Sequence, residues 1–134
     1  NVLKSDIVQD CGSSMNPKID IGQIEGAFIQ GMGWLTFAEL FWNNNGKLMT
    51  TGPSTYKIPG SRDMPNSLNV KLLDNSPNVE KTIFRSKAVG EPPLMSAISV
   101  WLAIRNAVSN YRKDSVLNLN APATPEEILK AINS

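Results

Sequence analysis

The chain of 134 residues contains no histidine and one cysteine, Cys11. Without histidine it can assemble no Ser-His-Asp triad and hold no metal through imidazole nitrogen. One cysteine excludes an internal disulfide, a zinc cluster and an iron–sulfur cluster. Charge of one sign is also missing: 13 Lys and Arg stand against 12 Asp and Glu, a net charge of +1. A nucleic-acid binder needs a basic face for phosphate, and this balance argues against one. The longest apolar run, Ile98 to Ile104, contains Ser99 and is far too short to span a bilayer. No charged-apolar-small signal peptide opens the chain. Chemistry therefore falls to carboxylates, lysines, tyrosines, amides or a cofactor with its own reactivity.

Glycine and proline punctuate the chain, and they are most telling in Ser86-Lys87-Ala88-Val89-Gly90-Glu91-Pro92-Pro93-Leu94. Gly90, without a Cβ, lets backbone lie close against a ligand. Pro92 biases Glu91 towards an extended shape, and both prolines suit a helix start. Leu94, Ala97, Ile98, Trp101, Ile104 and Val108 then recur at helical spacing. The picture is a carboxylate on a glycine turn at the mouth of a mostly buried helix, about Pro93–Tyr111. Glu91 is then either a reacting group or a charge complementing the helix dipole.

The first half holds a second long helix. Asp20 and Gln23 have the spacing of a capping box, with Ile19 and Ile24 as its hydrophobic staple, so a helix is expected over about Asp20–Trp42. Gly22, Gly26, Gly31 and Gly33 lie in or near it, each costing about 1 kcal/mol relative to alanine in a helix interior. Close packing explains Gly26 and Gly31; a bare helix start, open to a ligand, explains Gly22. Asn43–Gly46 is a turn. Val2–Val8, Lys47–Thr51, Leu68–Leu73 and Lys81–Arg85 read as strands, Leu68–Leu73 with the cleanest alternation. Arg112–Asn120 is a polar stretch. Thr124-Pro125-Glu126-Glu127 reads as cap, N1 proline and capping-box acid of a short helix, Pro125–Asn133. The fold class expected is α+β, a single unit of two main helices packed on a mixed or antiparallel sheet, plus the short C-terminal helix.

Several stretches, in order along nearly the whole chain, resemble the molybdenum hydroxylases. They are Asp10–Pro17 (D-x-G-x-x-x-N-P), Asp20–Gly33 (D-x-G-Q-x-E-G-A-x-x-Q-G-x-G), Gly52–Pro59 (G-P-S-T-Y-K-I-P) and Lys87–Pro93 (K-A-V-G-E-P-P). Thr124-Pro125-Glu126 resembles the family's C-terminal ending. At Ser54-Thr55 and Ala88–Pro93 the chain has the version of the xanthine dehydrogenase branch rather than that of animal aldehyde oxidases.

The resemblance implies that residues 1–134 are the C-terminal segment of a larger molybdopterin-binding domain. It implies a molybdenum–molybdopterin cofactor in the full enzyme, with the metal held by the pterin and not by protein side chains. The 2Fe-2S clusters and FAD would lie on other parts, and the isolated segment is expected to carry no cofactor. Glu91 would be the general base, Gln23 a pterin contact, and Ala88, Val89 and Gly90 backbone neighbours of the cofactor. Tyr56 and Lys57 would be structural. The implied reaction is hydroxylation of hypoxanthine or xanthine with water-derived oxygen, electrons passing through iron–sulfur clusters and FAD to NAD in the cytoplasm. The partners implied are the rest of the molybdenum domain, the Fe-S/FAD parts and a purine, with no nucleic acid or membrane. The alternatives are a non-catalytic folding and interaction module, or a relative acting on an aldehyde or another N-heterocycle.

Overall fold

The computed structural model of the protein describes residues 1–113 and 118–133. Part of the polar stretch expected at Arg112–Asn120, residues 114–117, therefore lies outside the described residues. The chain divides into two compact units that alternate along the sequence. The first comprises Asn1–Gly31 and Ser61–Ser96; the second comprises Met32–Gly60 and Ala97–Ser134.

In the first unit, strands β1 (Lys4–Gln9) and β2 (Ser67–Leu72) pair in parallel, from Lys4 opposite Ser67 to Gln9 opposite Leu72. The α+β class holds, but the sheet is parallel and two-stranded, not mixed or antiparallel. The connectivity permits this. Partners so far apart in sequence are joined by a long crossover, whereas antiparallel neighbours can be joined by a hairpin. Side chains alternate as a half-covered sheet requires. Ile7 is buried, while Asp6 is exposed and accepts a hydrogen bond from Asn69 Nδ2 at 2.8 Å across the pair.

Helix α1 (Pro17–Thr36) runs from the first unit into the second. It starts before the expected cap at Asp20, because Asn16 caps it: Ile19 N–H donates to Asn16 Oδ1 at 3.4 Å and Asp20 N–H to the Asn16 carbonyl at 3.0 Å. Pro17, without an N–H, takes the first helical position. The Asp20–Gln23 capping box is therefore not used, and Ile19, 59% exposed, makes no staple. Ile24 and Phe28 are fully buried, worth about 1.5–3 kcal/mol each. The helix ends at Thr36 rather than Trp42, with Phe37 and Ala38 N–H groups both turned back to the Gly33 carbonyl.

Lys81–Arg85 is not a strand. Ile83–Arg85 forms a 3₁₀ turn with Phe84 and Arg85 at positive φ. Asn78 closes the loop: its N–H donates to the Arg85 carbonyl at 2.8 Å, its amide to the Ser86 carbonyl at 3.2 Å. These bonds draw the backbone into a ring instead of a ladder.

In the second unit the Asn43–Gly46 turn forms, its Asn43 side chain accepting the N–H groups of Asn45 and Lys47. Lys47–Thr51 is not a strand; it contributes one isolated bridge, Leu48 to Trp42. Pro59 packs so close to Gly33 that an added Cβ there would meet its ring at 2.6 Å. Lys57 is exposed, with its Nζ 5.1 Å from the Phe37 ring centroid, within cation–π reach.

A 3₁₀ helix, Pro92–Ala97, precedes α2 (Ile98–Arg112) where one continuous helix was expected. Helix α3 (Pro125–Asn133) has the expected bounds, with Glu127 N–H donating to Thr124 Oγ1 at 3.3 Å. Glu127 does not complete the capping box; its carboxylate takes Asn120 and Lys130. Helices α2 and α3 pack around Val108, Leu119, Ala123 and Ala131, with Trp101, Ile104, Ile128 and Ile132 against that cluster.

Candidate cofactor-binding and catalytic site

The sequence-predicted residues Gln23, Ala88, Val89, Gly90 and Glu91 all belong to the first unit. Gln23 stands exposed in the early part of α1. Since the helix is capped at Asn16, its amide is free of the capping role. Among the described residues no side-chain hydrogen bond occupies it. Ala88, Gly90 and Glu91 are exposed. Val89 is buried, so its side chain anchors the stretch while its neighbours face outward. Gly90 is not among the positive-φ glycines, which are Gly12 and Gly46 among the described residues. What Gly90 contributes is bareness: an added Cβ would meet nothing within 4 Å.

Gly22 and Gly26 are equally open, with nothing within 4 Å of an added Cβ. Close packing thus does not explain Gly26. Gly31, by contrast, is buried.

Two separate stretches are laced together beside these residues. Gly12 and Ser86 form an antiparallel bridge; Lys87 N–H donates to the Cys11 carbonyl at 2.9 Å and Ser13 N–H to the Arg85 carbonyl at 3.1 Å. Gly12 has φ +63, and an added Cβ would meet the Arg85 carbonyl oxygen at 2.5 Å. Asp10 ties both stretches with its side chain. One oxygen accepts the Gly12 N–H at 2.9 Å; the other takes the Lys87 ammonium. The Lys87 hydrogen bond, then the Gly12 N–H, hold the Asp10 carboxyl below its ordinary 3.8. Burial pushes the Cys11 thiol up, and the Asp20 and Asp10 charges add to this, so it is a packed thiol and not a nucleophile.

The stretch ends in a defined way. Leu94 N–H donates to the Glu91 carbonyl at 3.0 Å, opening the 3₁₀ helix, and Pro93 is fully buried. The Glu91 main chain is thereby held while its carboxylate forms no ion pair or hydrogen bond among the described residues. The Asp10–Lys87 link escaped the sequence reading. Its members are 77 positions apart, and its only signal was that each opens a recognisable stretch.

These features belong to one compact unit of an α+β fold. An exposed carboxylate, a free amide and bare glycine surface fit a large polar organic group arriving from outside the chain. Among the described residues no group of three Cys, Asp or Glu could itself hold a metal ion.

The comparisons with known proteins agree. The family model of the molybdopterin cofactor-binding domain matches residues 1–65. The chain is 50% identical over 136 residues to xanthine dehydrogenase/oxidase of Felis catus, covering 96% of this chain and 10% of that protein. It is 52% identical over 130 residues to xanthine dehydrogenase of Dictyostelium discoideum, covering 94% and 10%. The fold matches quinoline 2-oxidoreductase from Pseudomonas putida 86 with a TM-score of 0.84 at 28% identity, covering 96% of this chain and 16% of that one. By sequence and by fold, the chain matches the molybdopterin-binding region of a molybdenum hydroxylase. It spans about a tenth of the length of these curated relatives.

Proposed function

We propose that this chain supplies the general base and part of the pterin-contacting surface of a xanthine dehydrogenase, as the C-terminal segment of its molybdopterin-binding domain. The observation that carries the reading is the laced pair of stretches in the first unit. They fix the chain as far as Lys87, and beyond it the Glu91 carbonyl accepts the Leu94 N–H while its carboxylate has no partner among the described residues.

The molybdenum–pterin group, when bound, supplies the two-electron redox chemistry. Everything else in the reading concerns the chain's own residues. Glu91 accepts a proton at its carboxylate from the water-derived oxygen nucleophile, a role that needs a base within hydrogen-bond reach of that proton. Gln23 donates and accepts through its amide to the polar edge of the pterin. Gly22, Gly26 and Gly90 leave room for the cofactor, and Ala88 and Gly90 offer backbone groups to it. The substrate class is a purine, hypoxanthine or xanthine. The 2Fe-2S clusters, FAD, NAD as acceptor and a cytoplasmic setting come with the same reading and lie outside this segment.

The test is Glu91→Gln in the full-length enzyme, followed by single-turnover reduction of the metal centre with xanthine. The substitution keeps size and most hydrogen bonding. A fall of ~10²–10⁴-fold with the cofactor retained supports the base; near-normal reduction removes it. A substrate panel of hypoxanthine, xanthine, quinoline and aldehydes decides the substrate class, quinoline being included because of the fold match to a quinoline 2-oxidoreductase.

A second reading rests on a different observation. Leu40, Phe41, Trp42, Met49 and Ile58 of the second unit are each more than 40% exposed. That surface suits a folding and interaction module covered by the rest of the larger domain. The two readings are compatible, since one concerns the first unit and the other the second.

A further inference from the structure

We propose that Asp10 and Lys87 are positioning residues for Glu91: the ion pair between them, braced on the Gly12 N–H, sets the point from which the stretch to Glu91 is projected. The inference rests on the reading of Glu91 as general base.

The stretch is fixed at its two ends. At Pro93 it is held by burial, with the Glu91 carbonyl accepting the Leu94 N–H. At Lys87 it is held twice, by main chain to the Cys11 carbonyl and by side chain to Asp10. Between these ends Val89 is the one buried side chain, and Ala88, Gly90 and Glu91 are exposed. A base carried on so open a segment gains its aim from the ends.

Magnitude separates this role from a stabilising one. The Lys87 and Asp10 side chains are 30% and 37% exposed. Ion pairs so open to solvent contribute little to stability. The main-chain bonds between the stretches do not involve the two side chains of the pair. Misplacing a reacting group by about 1 Å, however, can cost 10²-fold in rate. The pair is thus worth little to the fold and much to the placement of a base.

The experiment uses the full-length enzyme with Asp10→Asn, which keeps an acceptor for Gly12, with Lys87→Met and with Lys87→Arg. Lys87→Met and Asp10→Asn are expected to lower kcat about tenfold to a hundredfold with KM and molybdenum content unchanged. Lys87→Arg, still able to pair with Asp10, is expected to recover most of the rate. Hydrogen exchange of peptide 86–91, measured with and without cofactor, is expected to quicken in Lys87→Met and not in Lys87→Arg. In a Glu91→Gln background, Lys87→Met is expected to add no further loss, because both act through one group. If Lys87→Met reduces normally while Glu91→Gln is disabled, the positioning role is overturned and the base stands. If Glu91→Gln itself reduces normally, both are overturned. Full additivity of the two substitutions also overturns the positioning role, since Lys87 would then act independently of Glu91.

Discussion

A methyl group at Gly12 would meet the Arg85 carbonyl oxygen at 2.5 Å, on a backbone already at φ +63. Gly12→Ala is therefore expected to destabilise the chain by about 1–3 kcal/mol, read as a lower urea midpoint. Gly26 gives the opposite result: a Cβ there meets nothing within 4 Å. Gly26→Ala should stabilise the isolated chain by about 0.5–1 kcal/mol, while lowering pterin content in the full-length enzyme if that surface receives the cofactor. In sequence these two glycines look alike. What separates them is a carbonyl more than seventy positions away from Gly12 and empty space beside Gly26, neither of which leaves a local trace. Asp10 yields a pH prediction. Its carboxyl is held low in the folded chain, so the stability it contributes is present above the unfolded value near 3.8 and is lost as pH falls through the folded value. Asp10→Asn should thus be less stable than the parent at neutral pH, with the gap closing on acidification below 3.8 in a circular-dichroism titration.

Among the elements, the bounds of α3 were legible because local signals agree over a few residues: the Thr124 cap, Pro125 at the first position and the spacing of Ile128 and Ile132; Leu129, expected to face the body as well, is 59% exposed. Thr124→Ala should cost about 0.5–2 kcal/mol, measurable as a fall in Tm. Helix α1 was legible in kind and misplaced at its start. Asn16-Pro17 and Asp20 with Gln23 are both sound start signals, and the earlier one wins, freeing Gln23 for another partner. At Lys81–Arg85 sequence reasoning failed outright. Thr82 and Ile83 have strand propensity, but the conformation is set by Asn78, whose bonds to Arg85 and Ser86 close a loop. The sheet's parallel sense was likewise invisible, since alternation reports which face is covered and carries no information about the partner's direction. The candidate site residues Gln23 and Ala88–Glu91 carry local motifs, whereas the link from Asp10 to Lys87 exists only once the chain is folded.

Across the molecule, the two units share the chain in alternating pieces, with changes after Gly31, Gly60 and Ser96. Neither unit is one continuous sequence, so neither can be excised as a simple fragment. Phe41 and Trp42, adjacent in sequence, are 57% and 52% exposed, and exposed apolar surface of this kind suits a face that another part covers. The isolated chain is expected to bind an apolar fluorescent dye and to associate as its concentration rises. Phe41→Ser with Trp42→Ser should reduce both, with Tm changed little because exposed side chains contribute little to folding. Unchanged dye binding would place the sticky surface elsewhere.

The parallel pair also imposes an order of events during synthesis. Asp6 finds its partner Asn69 63 positions later, which a ribosome needs roughly 3–13 s to add at about 5–20 residues per second. Between its own emergence from the exit tunnel and that of β2, β1 has both edges unmated, while α1, made of local contacts, can already form. Codon usage that slows translation between the two strands would lengthen this exposure and call for a holding chaperone. Pulse-labelled nascent chains stalled once β1 has left the tunnel but before β2 has, and again with Leu72 well outside it, should differ sharply in chaperone capture.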